Sequence, residues 1–286
     1  MQEKGRVTKQ DIGDGLGAVG LSAGDVVLVH SSLSAFGHVE GGADAVIDAL
    51  LETVGPDGTV VVPTFTWGPF HAADKVVLDL DNTPVKAEVG IIPETFRKRP
   101  QAKRSTHICH SVAAIGPHTD RVMGEGIRSF GKGSTFHQLY ELDAWCLFLG
   151  ATFNSCTELH AVEEYMRVPY RYYRDFKGST VILQDGSEVE SQSVEFLRYA
   201  EPAYRNDFAK MRDILDGHGV LRAATIGEAQ VMNVRIRDIF DITVGYMQQD
   251  MGFLLDEKSR DELREALAKR EQPGGESYGP GPRPGS

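Results

Sequence analysis

The sequence predicts an α/β fold: a mostly parallel central sheet flanked by helices, with a smaller antiparallel or irregular portion in the C-terminal half. Three observations carry this. Short apolar runs without alternation recur, VVLVH (26–30), GTVVVPTF (58–65) and AWCLFLG (144–150), as expected of strands buried on both faces of a parallel sheet. Between the first two lies ADAVIDALLETV (43–54), whose Val46, Ile47, Leu50, Leu51 and Val54 fall on one helical stripe. Strand, helix, turn and strand in that order make a parallel crossover unit. From about residue 170 the texture changes, and STVILQDGSEVESQSVEFL (179–197) carries Asp185-Gly186 between two strand-like runs, a hairpin signal.

The other elements follow along the chain. Thr8 is placed to cap a helix with apolar Ile12, Leu16 and Val19. Residues 67–88, WGPFHAADKVVLDLDNTPVKAE, lose the rhythm and read as a long surface excursion, a length that is usually functional or disordered. IIPETFRKR returns as a helix, SVAAIG as a strand, TELHAVEEYM as the helix after AWCLFLG, and DEKSRDELREALAKR as a last helix. The expectation is a single α/β domain over residues 1–270, with a C-terminal sub-region from about 170. The stretch 271–286, EQPGGESYGPGPRPGS, lacks the apolar residues to order itself and reads as a disordered tail.

Bulk properties narrow the function. Of 286 residues, 41% are hydrophobic, enough for a sizeable core. With 41 acidic against 30 basic residues the net charge is −11, which disfavours nucleic acid and anionic membranes and favours a cationic partner. Three cysteines, Cys109, Cys146 and Cys156, fit neither a disulfide framework nor a Cys-x-x-Cys zinc pattern. No run approaches the roughly 18 apolar residues of a membrane helix, so a reducing, cytoplasmic setting is expected. The oligomeric state is not readable, a homodimer being one open arrangement.

Several motifs bear on chemistry. GLGAVG (15–20) matches the dinucleotide glycine pattern but precedes the first strand inside a helical period, where it cannot cradle a pyrophosphate. GEGIRSFGKGS (124–134) lacks the phosphate-loop order and reads as a flexible surface loop. His30, Ser31, Ser32 and Ser34 follow the first buried strand, at the carboxyl edge where α/β folds bind ligands. In TELHAVEE (157–164), Thr157, His160 and Glu163 recur every three residues on one helix face. Glu163 there can accept the imidazole N–H and fix its tautomer, the usual construction of a general base. STHICHS (105–111) adds His107, Cys109 and His110. A Cys156–His160 nucleophile pair and a metal site drawn from His107, Cys109, His110, His160 and Glu163 both remain open on residue types alone.

Five stretches in order, VHSSLSAFG (29–37), GTVVVPTFTW (58–67), VGIIPETFRKRP (89–100), RSTHICHSVAAIGPHTD (104–120) and LGATFNSCTELHAVEE (149–164), resemble the aminoglycoside N3-acetyltransferases, or antibiotic N-acetyltransferases. The resemblance covers roughly residues 8–265. It implies acetyl transfer from acetyl-coenzyme A to an amine, commonly the 3-amino group of a deoxystreptamine ring, without metal. It implies His160 as base, Glu163 as the acid that orients it, and Thr157 as a hydroxyl near the thioester. Ser31, Ser32, Leu33 and Ser34, with Arg104, Ser105, His107, Ser111 and Val112, correspond to the stretches that hold the coenzyme. Ile108 stands where members often carry proline, and Ser134-Thr135 where they carry Ser-Pro. For a cationic small-molecule amine, Asp79, Asp81 and Glu164 are the candidate carboxylates. Other readings are acetylation of an amino sugar or aminophosphonate, a metal-dependent hydrolase, and a catalytically silent coenzyme A binding module.

Overall fold

A computed structural model describes residues 5–270; the expected tail lies outside them. Seven strands form the central sheet, in the order Arg222–Ile226, Ala229–Arg235, Trp145–Leu149, Val26–Ser31, Thr59–Pro63, Val112–Ile115, Lys103–Arg104. The middle three are parallel, with Val27 opposite both Val60 and Trp145, and the flanking pairs are antiparallel. The α/β class is as expected, parallel where the crossover unit lies and mixed towards the edges.

The central strands are continuous apolar runs because both of their faces are covered. Val26 and Leu28 enter one core cluster, while Val27 and Val29 enter the other. Cys146 and Phe148 divide from Leu147 and Leu149 in the same way. Helices Lys9–Ala18 and Gly42–Val54 cover one side, and Glu158–Met166 and Ile236–Gln249 cover the other. Thr8 closes a capping box with Asp11 on the first helix, and GLGAVG lies at that helix's C-terminal end. Among the described residues no helix is long and apolar enough to cross a membrane.

The excursion is partly structured: Val77–Asp79 pairs parallel with Thr180–Ile182, which pairs antiparallel with Glu188–Glu190 across the Asp185-Gly186 turn. A second ribbon joins Arg171–Asp175 to Val194–Arg198. The C-terminal half is antiparallel as expected, and its hairpin Arg222–Arg235 also extends the central sheet. One expectation needs correction. Loop 124–134 is tied in rather than flexible: Glu125 and Gly126 donate to the Gly133 carbonyl, Ser129 donates to that of Val194, and Phe130 is buried.

Candidate active site

A cleft of about 610 Å³ opens at the carboxyl edge of the parallel strands. His30 and Ser31 reach it from the end of Val26–Ser31, and Thr157 and His160 from the helix that follows Trp145–Leu149. Both ends of the excursion contribute, through Trp67, His71 and Glu88.

His160 and Glu163 meet as their helical spacing requires: Nδ1 of His160 is 2.6 Å from Oε2 of Glu163. The helix stops at Arg167, whose left-handed backbone (φ 52°) turns the chain back. Tyr170 and Arg171 thereby return to the same carboxylate. Arg171 Nη2 lies 2.8 Å from Oε2, the Tyr170 hydroxyl donates to Oε1 at 2.9 Å, and Asn206 Nδ2 donates to Oε1 at 2.7 Å. Four donors saturate a fully buried carboxylate and leave it no freedom to rotate. Burial acts to raise the Glu163 carboxyl, but Arg171, His160 and Asn206 outweigh it and hold it at about 2. An ionised carboxylate can only accept, so Nδ1 of His160 carries the proton and donates it to Glu163. The 3.0 Å approach of Arg171 Nη2 to Nδ1 is then a close contact, the arginine hydrogen being directed to Oε2. Nε2 is left as the unprotonated nitrogen available to the cleft.

Surroundings keep this imidazole neutral. The rings of Phe130 and Phe208 stand 5.6 and 5.0 Å from it, centroid to centroid. Burial pushes His160 down, the Arg171 guanidinium adds to the effect, and the pKa falls to about 4 against the pull of Glu163. Thr157 is buried at the cleft, its hydroxyl 3.4 Å from the Ser155 carbonyl.

A second pair lies in the same cleft: His110 Nδ1 is 2.8 Å from Oε2 of Glu195. Burial works against ionisation of Glu195, yet His110, His107 and His71 hold it at about 2.

The remaining expected residues divide. Ser31, Ser32, Leu33 and Ser34 line a groove of about 590 Å³, which shares Ser31 and Ser32 with the cleft. The Ser31 hydroxyl is buried without a hydrogen-bond partner. Ser105 and His107 line a smaller cavity of about 240 Å³ that also includes His110. Arg104, Ser111 and Val112 are buried instead of lining a wall: Arg104 donates to the carbonyl oxygens of Thr64 and Thr83, the Ser111 hydroxyl donates to that of Thr64, and Val112 is core. Asp79 and Asp81 do not line the cleft, Asp79 being spent on its own turn by accepting from Asp81, Asn82 and the Asn82 amide. Glu164 faces a separate cavity of about 140 Å³.

The metal set of His107, Cys109, His110, His160 and Glu163 does not converge. His107 and His110 gather on Glu195, away from the Glu163 carboxylate that holds His160. Cys156 is fully buried, burial pushes its thiol up, and it donates to Glu158, so it is no activated nucleophile. Tyr170, Arg171, Glu195 and Asn206 escaped sequence reasoning. The run YRYYR (170–174) signals tyrosine and arginine, whereas Asn206 stands 43 residues from its carboxylate partner and leaves no local trace.

The α/β scaffold carries at the carboxyl edge of its sheet a histidine aligned by a buried carboxylate. The chain belongs to the aminoglycoside 3-N-acetyltransferase family, whose sequence model matches residues 28–248, and is thus an acyltransferase. It is 32% identical over 242 residues to the SPbeta prophage-derived aminoglycoside N(3')-acetyltransferase-like protein YokD of Bacillus subtilis (strain 168), covering 78% of this chain and 85% of that one. It is 30% identical over 234 residues to aminoglycoside N(3)-acetyltransferase IV of Salmonella sp, covering 81% and 84%. A solved mutant of AAC(3)-IVa in complex with a gentamicin matches with a TM-score of 0.72 at 26% identity, covering 89% of this chain and 93% of the other.

Proposed function

We propose that the protein transfers the acetyl group of acetyl-coenzyme A directly to an amino group of an aminoglycoside, the 3-amino group of its deoxystreptamine ring, and so confers antibiotic resistance. Family membership and the gentamicin complex of a relative support the acceptor class. The 2.6 Å contact between His160 and Glu163, which leaves Nε2 free at the cleft, is the observation that carries the reading.

An aliphatic amine attacks only as its free base, and the attacking nitrogen must shed a proton as it bonds to the acyl carbon. His160 Nε2 removes it, a contribution on the order of 10²–10⁴-fold. The imidazolium so formed is stabilised by the ionised Glu163 beside it and returns its proton to the coenzyme A thiolate, which leaves as the tetrahedral intermediate collapses and its C–S bond breaks. The thioester supplies the activated acyl carbon, and the charge collecting on its oxygen needs a donor. Ser31, with a buried unpartnered hydroxyl at the cleft, offers one. The Ser32 amide does not, since it donates to the Leu149 carbonyl. The groove of Ser31 to Ser34, continuous with the cleft, suits the coenzyme arm, and Thr157 stands near the reacting carbon. Glu88 and Glu195 replace Asp79, Asp81 and Glu164 as the carboxylates facing a cationic acceptor.

The test is thiol release from acetyl-coenzyme A against apramycin-like, gentamicin-like and neomycin-like aminoglycosides, with the product located by NMR. Release with at least one and acetylation at the 3-amino position are expected. Silence across the panel from protein that still binds the coenzyme overturns the proposal.

A further inference from the structure

Apart from the His160–Glu163 pair, a second set of side chains with metal-binding chemistry meets on the cleft wall. One ligand atom each from His71, Cys109 and Glu195 lie within 4.8 Å of one another. Cys109 and Glu195 are buried, at 0% and 1% exposure, and Nε2 of His71 is a buried nitrogen with no hydrogen-bond partner. Arg174 donates to the carbonyl oxygens of His71 and Ala73, pinning the backbone that carries this imidazole. His110 holds Oε2 of Glu195 at 2.8 Å, the outer-shell arrangement that orients a carboxylate ligand. His107 is not a member: its Nδ1 accepts the amides of Cys109 and His110, and its Nε2 meets the Val194 carbonyl.

We propose that His71, Cys109 and Glu195 form a site for a thiophilic divalent cation, zinc by its donor set, and that its occupancy inhibits acyl transfer. Nitrogen, sulfur and carboxylate oxygen are the three donors zinc takes, at roughly 2.0–2.3 Å. Tetrahedral ligands at those lengths stand about 3.3–3.8 Å apart, so atoms within 4.8 Å of one another close by at most about 1.0–1.5 Å on binding. His71 and Glu195 both line the cleft, which gives the ion its entry path and leaves the fourth position facing solvent or an acceptor amine. The Cys109 sulfur–metal bond forms as the thiol proton leaves to solvent. Inhibition follows because the ion takes Glu195 from the acceptor. Binding stands on the cluster alone, whereas inhibition rests on the proposed acetyl transfer.

Cobalt(II), titrated into the full chain without coenzyme, reads the site through its thiolate charge-transfer absorption. One cobalt per chain with that band, displaced by zinc, is expected. Cys109→Ser abolishes the band, and His71→Asn weakens the affinity about tenfold or more. In activity assays that follow loss of the thioester absorbance, zinc inhibits the wild type, while Cys109→Ser keeps basal activity and resists. Absence of the band, or its persistence in Cys109→Ser, overturns the site, and His71→Asn decides independently should Cys109→Ser fail to fold. Equal zinc inhibition in wild type and Cys109→Ser overturns the inhibitory role. A chain that acetylates no amine yet shows the band refutes the acetyl-transfer reading and leaves the site standing.

Discussion

His160 is held ready by two opposed neighbours. Glu163 fixes the proton on Nδ1, while burial and Arg171 keep the ring uncharged, with a pKa of about 4 in place of 6.5. A base so depressed suits the proposed transfer, because the amine nitrogen becomes far more acidic as it bonds to the acyl carbon. The free base persists as pH falls, so the acid limb of kcat/KM lies well below 6.5. Arg171→Met removes a charge that lowers the pKa, so the limb moves up towards 6.5; a pH–rate profile that keeps its acid midpoint in this variant contradicts the assigned cause. The pair was legible from sequence because its partners sit one helical turn apart. Arg171, 11 residues on, enters only because Arg167 adopts a left-handed turn.

The helix Glu158–Met166 splits adjacent carboxylates between two environments. Glu163 reaches Arg171, Tyr170 and Asn206, whereas Glu164 turns to the opposite cavity, where burial raises it to about 7 with Arg128 opposing at 3.8 Å. A carboxyl raised in the folded state favours folding most below its ordinary 4.5, and that contribution is lost as pH rises through about 7. Glu164→Gln therefore stabilises at pH 8 by on the order of 1–3 kcal/mol and changes little at pH 5. Thermal melts at both values check this, and an equal effect at each contradicts it. Among the elements, the central strands were readable because their residues alternate between two cores. The helix Ile236–Gln249 was not, although Ile236, Ile239, Phe240, Val244 and Met247 are buried at its period. It follows the strand Ala229–Arg235 with no intervening turn, so the period changes from 2 to 3.6 inside one unbroken run.

Across the whole molecule, the parallel centre of the sheet presents two strand ends side by side, and the later ribbon and loops close over them. This explains which site residues sequence could supply. The serines after Val26–Ser31 and the helix after Trp145–Leu149 are set by the sheet edge and were found. The carboxylates that line the cleft were not the ones expected, because an acidic residue's exposure depends on contacts far along the chain. Asp79 bends back on its own turn, while Glu195, in a strand-like run, is turned inward by pairing of Val194–Arg198 with Arg171–Asp175. A net charge of −11 then favours a cationic partner from a distance. The most direct measurement is turnover of His160→Ala beside its coenzyme affinity. The account predicts a loss of about 10²–10⁴-fold in kcat with coenzyme binding retained, and near-normal turnover would contradict it.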